Sequence, residues 1–121
     1  MMDKKKFEEI DNYLNIADKN LARKELIAIS QAYQYDPDYL YLRAKLLKFD
    51  QNIYMAIDAL IISLQIHQTE KSFNLLSELF LIIGNKEFAD KLKNKDLQSD
   101  FLKKLVELMP GLIWKKKENS F

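Results

Sequence analysis

At 121 residues, with 48% apolar and 31% charged side chains, the chain is long enough for one domain with a continuous core and too apolar to stay disordered. Only two glycines (Gly84, Gly111) and two prolines (Pro37, Pro110) occur, too few turn formers for an all-β domain of this size. Cysteine is absent and the net charge is +1, which excludes a disulfide framework and a thiolate metal site and suits a reducing, cytoplasmic setting.

The basic excess sits in residues 86–121, with nine basic against six acidic side chains. Spread over a helix and a tail, it lacks the clustering of a nucleic-acid-binding face, so no nucleic-acid partner is expected. The opening stretch MMDKKKFEEIDNYL passes from lysines to acidic residues without an apolar segment or a small-residue cleavage site, and is not expected to act as a signal peptide.

In chain order, residues 3–16 place Phe7, Ile10, Leu14 and Ala17 on one stripe of a helix that Asp3 would cap. A second helix is expected from Leu21 to Tyr35, with Leu26, Ile29, Ala32 and Tyr33 on one side. It stops at Asp36-Pro37, because the residue before proline is pushed out of the helical region. The same dipeptide supplies an N-cap and a first-turn proline for a third helix, Pro37 to Phe49, carrying Leu40, Ala44 and Leu47.

After Asp50-Gln51-Asn52 comes IYMAIDALIISLQI, in which 11 of 14 residues are apolar, too many for a one-sided surface helix and therefore the central one. Thr69 caps a fifth helix, Glu70 to Ile83, and Gly84-Asn85 stops it and caps a short sixth, Lys86 to Lys93. A seventh runs from Leu97 to Met109, ended by Pro110-Gly111. Residues 1–109 thus read as one helical domain, and 110–121 as a basic and aromatic tail. The most apolar stretches, Ile53 to Ile66 and Phe73 to Ile83, fall short of the roughly 18 to 20 residues a membrane span needs.

Helices three and four recur in helices five and six. Leu40 and Phe73, Ala44 and Ser77, Leu47 and Phe80, and Ala56 and Ala89 are each 33 residues apart. Small residues at 44/77 and 56/89 let paired helices approach, while bulky ones at 40/73 and 47/80 fill the space beside them. On these residues the chain resembles the tetratricopeptide repeat family, a helix-turn-helix unit of about 34 residues. NLARKELIAISQAYQYDP (20–37) resembles the second helix and exit of such a unit, QNIYMAIDALIISLQIHQ (51–68) the next, and GNKEFADKL (84–92) opens a third.

Three features depart from the pattern. Glu25 stands where the first unit has its small residue, Gln68 replaces a terminal proline, and the first two units are offset by 31 residues. The resemblance implies an all-α fold, a short right-handed superhelix of about three degenerate hairpins over residues 7–93, closed by the 97–109 helix as a cap. It also implies a protein-binding role, as an adaptor or small chaperone that holds a peptide or amphipathic helix. Small proteins similar to this family are often dedicated chaperones of secretion systems. Near the minimum repeat number, dimerisation or dependence on a partner is an open alternative.

Catalytic chemistry is not expected. The single histidine, His67, ends the most apolar helix, where a terminal histidine is favoured by the helix dipole. The two glycines are isolated and cannot build a phosphate loop, and carboxylates such as Glu8, Glu9, Asp11, Asp36 and Asp38 read as caps and solvated faces. No cofactor and no metal site are expected.

Two surfaces are candidates for partner binding. Tyr33, Tyr35, Tyr39 and Tyr41 straddle the Pro37 corner ahead of Arg43, Lys45 and Lys48. They either form a recognition surface whose bases hold an acidic group or pack helix two on helix three. A carboxylate clamp of the repeat family would repeat lysine and asparagine on successive first helices, but Tyr41 and Lys45 correspond to Asn74 and Glu78. The second candidate is surplus apolar surface on helices four and five, at Ile57, Ile61, Leu75, Leu79 and Ile82. It either lines a groove for an amphipathic helix or a twin subunit, or is covered by helices six and seven and the tail. The tail, with Trp114 before Lys115, Lys116 and Lys117, either docks on the core, anchors a partner or touches an anionic membrane. Tyr35, Tyr39, Tyr41, Arg43, Lys45, Ile61, Leu79 and Trp114 are the expected contact residues.

Overall fold

The computed structural model describes residues 4–109. Among them it shows an all-α fold of seven helices: α1 (Lys4–Asn15), α2 (Lys19–Tyr33), α3 (Pro37–Phe49), α4 (Ile53–Ile66), α5 (Glu70–Ile82), α6 (Lys86–Lys93) and α7 (Gln98–Met109). The helix starts follow the side chains that satisfy their first amide groups. Asp36 accepts from the Asp38 and Tyr39 amides at 2.9 and 3.2 Å, and Pro37 takes the first helical position, where a missing N–H costs nothing. Thr69 accepts from the Ser72 amide and Asn85 from the Phe88 amide. Asp18 caps α2 through the Leu21 amide, so that helix begins two residues earlier than its apolar pattern predicts.

The turns α1–α2, α3–α4 and α5–α6 share one hydrogen-bond pattern. Asp18 donates to the Tyr13 carbonyl, Asn52 to that of Leu47 and Asn85 to that of Phe80, each at 2.8 Å. One residue earlier, Ala17, Gln51 and Gly84 hold φ of 60°, 63° and 82°, the left-handed conformation that closes a helix C-terminus. These corners are spaced by 34 and then 33 residues. The fully buried Ala22, Ala56 and Ala89 follow the same spacing. Each alanine lets the second helix of its hairpin sit close to the first.

This register corrects two expectations. The first two units are offset by 34 residues and not 31, with Ala22 in the small-residue place; Glu25 instead forms an ion pair with Lys6 on α1. Ala17, expected on the buried stripe of α1, is the exposed corner residue. Ala32 is likewise exposed.

One hydrophobic cluster runs from Phe7 on α1 to Leu105 on α7. Hydroxyls inside it are satisfied where helices cross: Ser63 donates to the Pro37 carbonyl at 2.9 Å and Ser77 to that of Ala89 at 2.7 Å. The helix α7 packs on both α6 and α4. Phe80, Phe88 and Phe101 form a chain of edge-to-face rings at 5.3 and 4.9 Å that seats it. With α3, α5 and α7 all packed on it, α4 has little surface left.

The surplus-apolar expectation is therefore corrected at its main residues. Ile61 is 2% exposed and Leu79 0%, and Ile57 and Leu75 are buried as well. Ile61 and Leu79 are core residues and offer no partner-binding surface; of that set only Ile82 is exposed. Trp114 and the rest of the expected tail lie outside the described residues. No helix among those described is long and apolar enough to cross a membrane.

Candidate partner-binding site

Successive residues of a helix are turned by about 100°, so side chains four apart share a face and those two apart point nearly oppositely. The α3 segment PDYLYLRAK therefore presents Tyr39 with Arg43 on one side and Tyr41 with Lys45 on the other. The structure brings each pair to a different cavity. The single tyrosine surface expected across the Pro37 corner is two surfaces.

Tyr41 and Lys45 line a trough across α1, α3 and α5. Two adjoining cavities, of about 460 and 230 Å³, share Tyr41 and Lys71. The apolar part of the lining comes from Phe7, Leu14, Leu42 and Leu75, with Phe49 exposed at one end. Equivalent places on the three helices supply it, given the 34- and 33-residue corners: Phe7, Tyr41 and Asn74 form one rung, and Asp11, Lys45 and Glu78 the next.

Charge in the trough is mostly cancelled. Lys45 donates to Asp11 at 2.6 Å and to Asn15 at 3.1 Å, Lys48 to Glu78 at 2.7 Å, and Lys71 to Asp38 at 2.9 Å. Each ion pair joins two of the three helices, so it ties neighbouring hairpins as well as lining the trough. Lys71 and Lys45 also lie 4.8 and 5.6 Å from the Tyr41 ring centroid, where the ring face attracts cations. Burial raises the Tyr41 phenol above its ordinary pKa; Asp11 and Glu78 add to the rise and Lys71 opposes it.

The other pair faces a cavity of about 480 Å³ between α2, α3 and α4. Tyr39 is a wall of it and is 6% exposed, whereas Tyr35 at the end of α2 is 71% exposed. Burial raises the Tyr39 phenol, with Arg43 opposing it. Arg43 is the only charged residue in the lining, and it makes no ion pair with the described residues.

Of the expected contact residues, the structure thus groups Tyr41 with Lys45 and Tyr35 with Tyr39 and Arg43, and places Ile61 and Leu79 in the core. Sequence reasoning missed Asp11, Lys71 and Glu78 as trough residues. The signal for Glu78 was its offset of 33 from Lys45; that for Asp11 was hidden by the wrong register of the first unit. The described residues hold no group of three or more histidine, cysteine, aspartate or glutamate side chains placed for a metal ion. No family model, curated protein or solved structure matches the chain.

Proposed function

We propose that this protein is a cytoplasmic protein–protein interaction module, an adaptor or small chaperone, that receives a peptide or amphipathic helix of a partner in the α1/α3/α5 trough. The fold in this reading is a degenerate tetratricopeptide-like superhelix of three hairpins capped by α7. One observation carries the role: equivalent positions on three stacked helices build a continuous surface with buried apolar side chains and both signs of charge above them. The pairing of Lys45 and Lys71 with carboxylates changes the expected partner. An acidic peptide would meet cations already neutralised, whereas a segment carrying both charge signs over an apolar stripe can exchange pair for pair.

Affinity capture from the native cell is the test, comparing the wild-type chain with Tyr41→Ala/Lys71→Glu, each checked for an unchanged helical spectrum. A partner held by the wild type and lost from the variant is the expected outcome. Identical partners on both would remove the trough from consideration.

A second reading has its own observation. Ile16, Leu21, Phe49, Met55, Leu81 and Ile82 are exposed and gather at the three equivalent corners. An apolar row of this kind would suit a homodimer with no separate client. Light scattering over a range of concentrations separates the two: a monomer throughout contradicts the dimer.

A further inference from the structure

We infer that the cavity between α2, α3 and α4 is a second binding site, which takes the side-chain carboxylate of an acidic residue in a peptide segment of a partner protein, with Arg43 as its cation. This cavity shares no lining residue with the trough.

Charge comes first. Among the described residues every lysine of the trough is committed to a carboxylate, as is Arg23, which grips Asp50 through 2.7 and 2.5 Å contacts. Arg43 has no such partner among them, and none of the described residues lining its cavity is a carboxylate. Arg43 is a half-buried residue, and a guanidinium offers a planar fork of donors that matches a carboxylate bidentately. The rest of the polar lining is neutral. Gln31 on α2 and Gln34 at its C-cap line the cavity with Ser30, whose hydroxyl donates to the Ile27 carbonyl at 2.9 Å.

One positive charge and neutral donors neutralise a carboxylate monoanion and would leave a phosphate dianion under-compensated. The walls define what accompanies the carboxylate. Leu40 and Ile62 give an apolar side next to Arg43, suited to an apolar residue adjacent to the acidic one. The Gln31 and Gln34 amides, one turn apart, can both donate to and accept from an extended backbone. The exposed Tyr35 ring supplies a rigid flank at small entropic cost. Tyr39 is a neutral phenol near pH 7, and burial only moves its pKa further up.

The experiment is a titration of the isotopically labelled full chain, following the Arg43 side-chain Nε–H signal and all backbone amides. Three probes are used: acetyl-Leu-Glu-Leu-amide, the same peptide with glutamine in place of glutamate, and inorganic phosphate. The glutamate peptide should shift the Arg43 signal and the amides of residues 30–35. The glutamine peptide should bind about tenfold more weakly or worse, the usual cost of losing a charge-assisted hydrogen bond. Arg43→Gln should abolish the glutamate preference. Tyr35→Ala, at a side chain too exposed to affect folding, should weaken binding and so tests the site even if the arginine variant does not fold. Equal binding of the two peptides, phosphate binding as tightly as the glutamate peptide, or shifts that spare Arg43 and residues 30–35 and fall on the trough residues of α1, α3 and α5 would each overturn the inference.

Discussion

The two faces of α3 use the same residue types to different ends. On the trough side, a tyrosine and a lysine four residues apart are bound into a network that links three hairpins. On the opposite side, a tyrosine and an arginine four apart leave the ring buried and the cation, among the described residues, unpaired over a neutral cavity. A cation already satisfied by a carboxylate gives cohesion and orders a surface; one without a partner is a standing preference for an anion. Counting basic and aromatic residues along a segment cannot distinguish the two.

The largest effect that would sharpen this contrast concerns the tyrosines of the arginine side. Tyr39→Ala removes a ring that is 6% exposed and should destabilise the fold by about 3 kcal/mol in chemical denaturation, in the range of large-to-small core changes. Tyr35→Ala should cost less than about 0.5 kcal/mol, as expected of an exposed side chain away from the core. Comparable costs for the two would show that the side of the cavity assigned to Tyr35 is wrongly drawn.

A smaller effect is expected in the trough. A double-mutant cycle on Asp11 and Lys45 should give a coupling of about 0.5 to 1 kcal/mol, discounted for the partial exposure of both side chains. That coupling should shrink in high salt. For Arg43→Gln the expected change in stability is within about 0.5 kcal/mol, since Arg43 makes no ion pair with the described residues. A large destabilisation by Arg43→Gln alongside no coupling in the trough would reverse the assignment of the two faces.

The smallest signal is the response to alkali. Burial raises the folded-state pKa of both Tyr39 and Tyr41 above the ordinary 10.0. The unfolded chain therefore loses these phenolic protons first, and the stability they contribute is present below about pH 10 and lost as pH rises past it. Tyr41→Phe should flatten that decline in pH-dependent melting without removing it, because Tyr39 still contributes. An unchanged slope would mean that the trough ring is solvated.

Much of the fold was legible because local chemistry determined it. Asp36-Pro37, Thr69 and Gly84-Asn85 each marked a boundary through a cap, a fixed φ or a left-handed residue. The repeat was visible where the second and third hairpins share the types that pack, and misread in the first. There the corner residue is Ala17 without a glycine to flag it, and Glu25 drew attention away from Ala22. The burial of Ile61 depends on α3, α5 and α7 packing around α4, and that of Leu79 on α4 and α6 packing against α5, long-range outcomes that helical periodicity does not encode. The split of the tyrosine run was in principle readable from the spacing of Tyr39, Tyr41, Arg43 and Lys45. The pairing of Lys71 with Asp38, 33 residues away, required the stacking itself.

In the proposed complex a partner segment lies along α1, α3 and α5. Hydrogen exchange of the full chain, alone and bound to the protein it captures, tests it most directly. Slowed exchange is expected in residues 7–15, 38–49 and 71–78, on the three equivalent helices together. Protection confined to the corners at residues 16–21, 50–55 and 81–88, with the trough helices exchanging as in the isolated chain, would contradict it and leave the apolar corners as the interface.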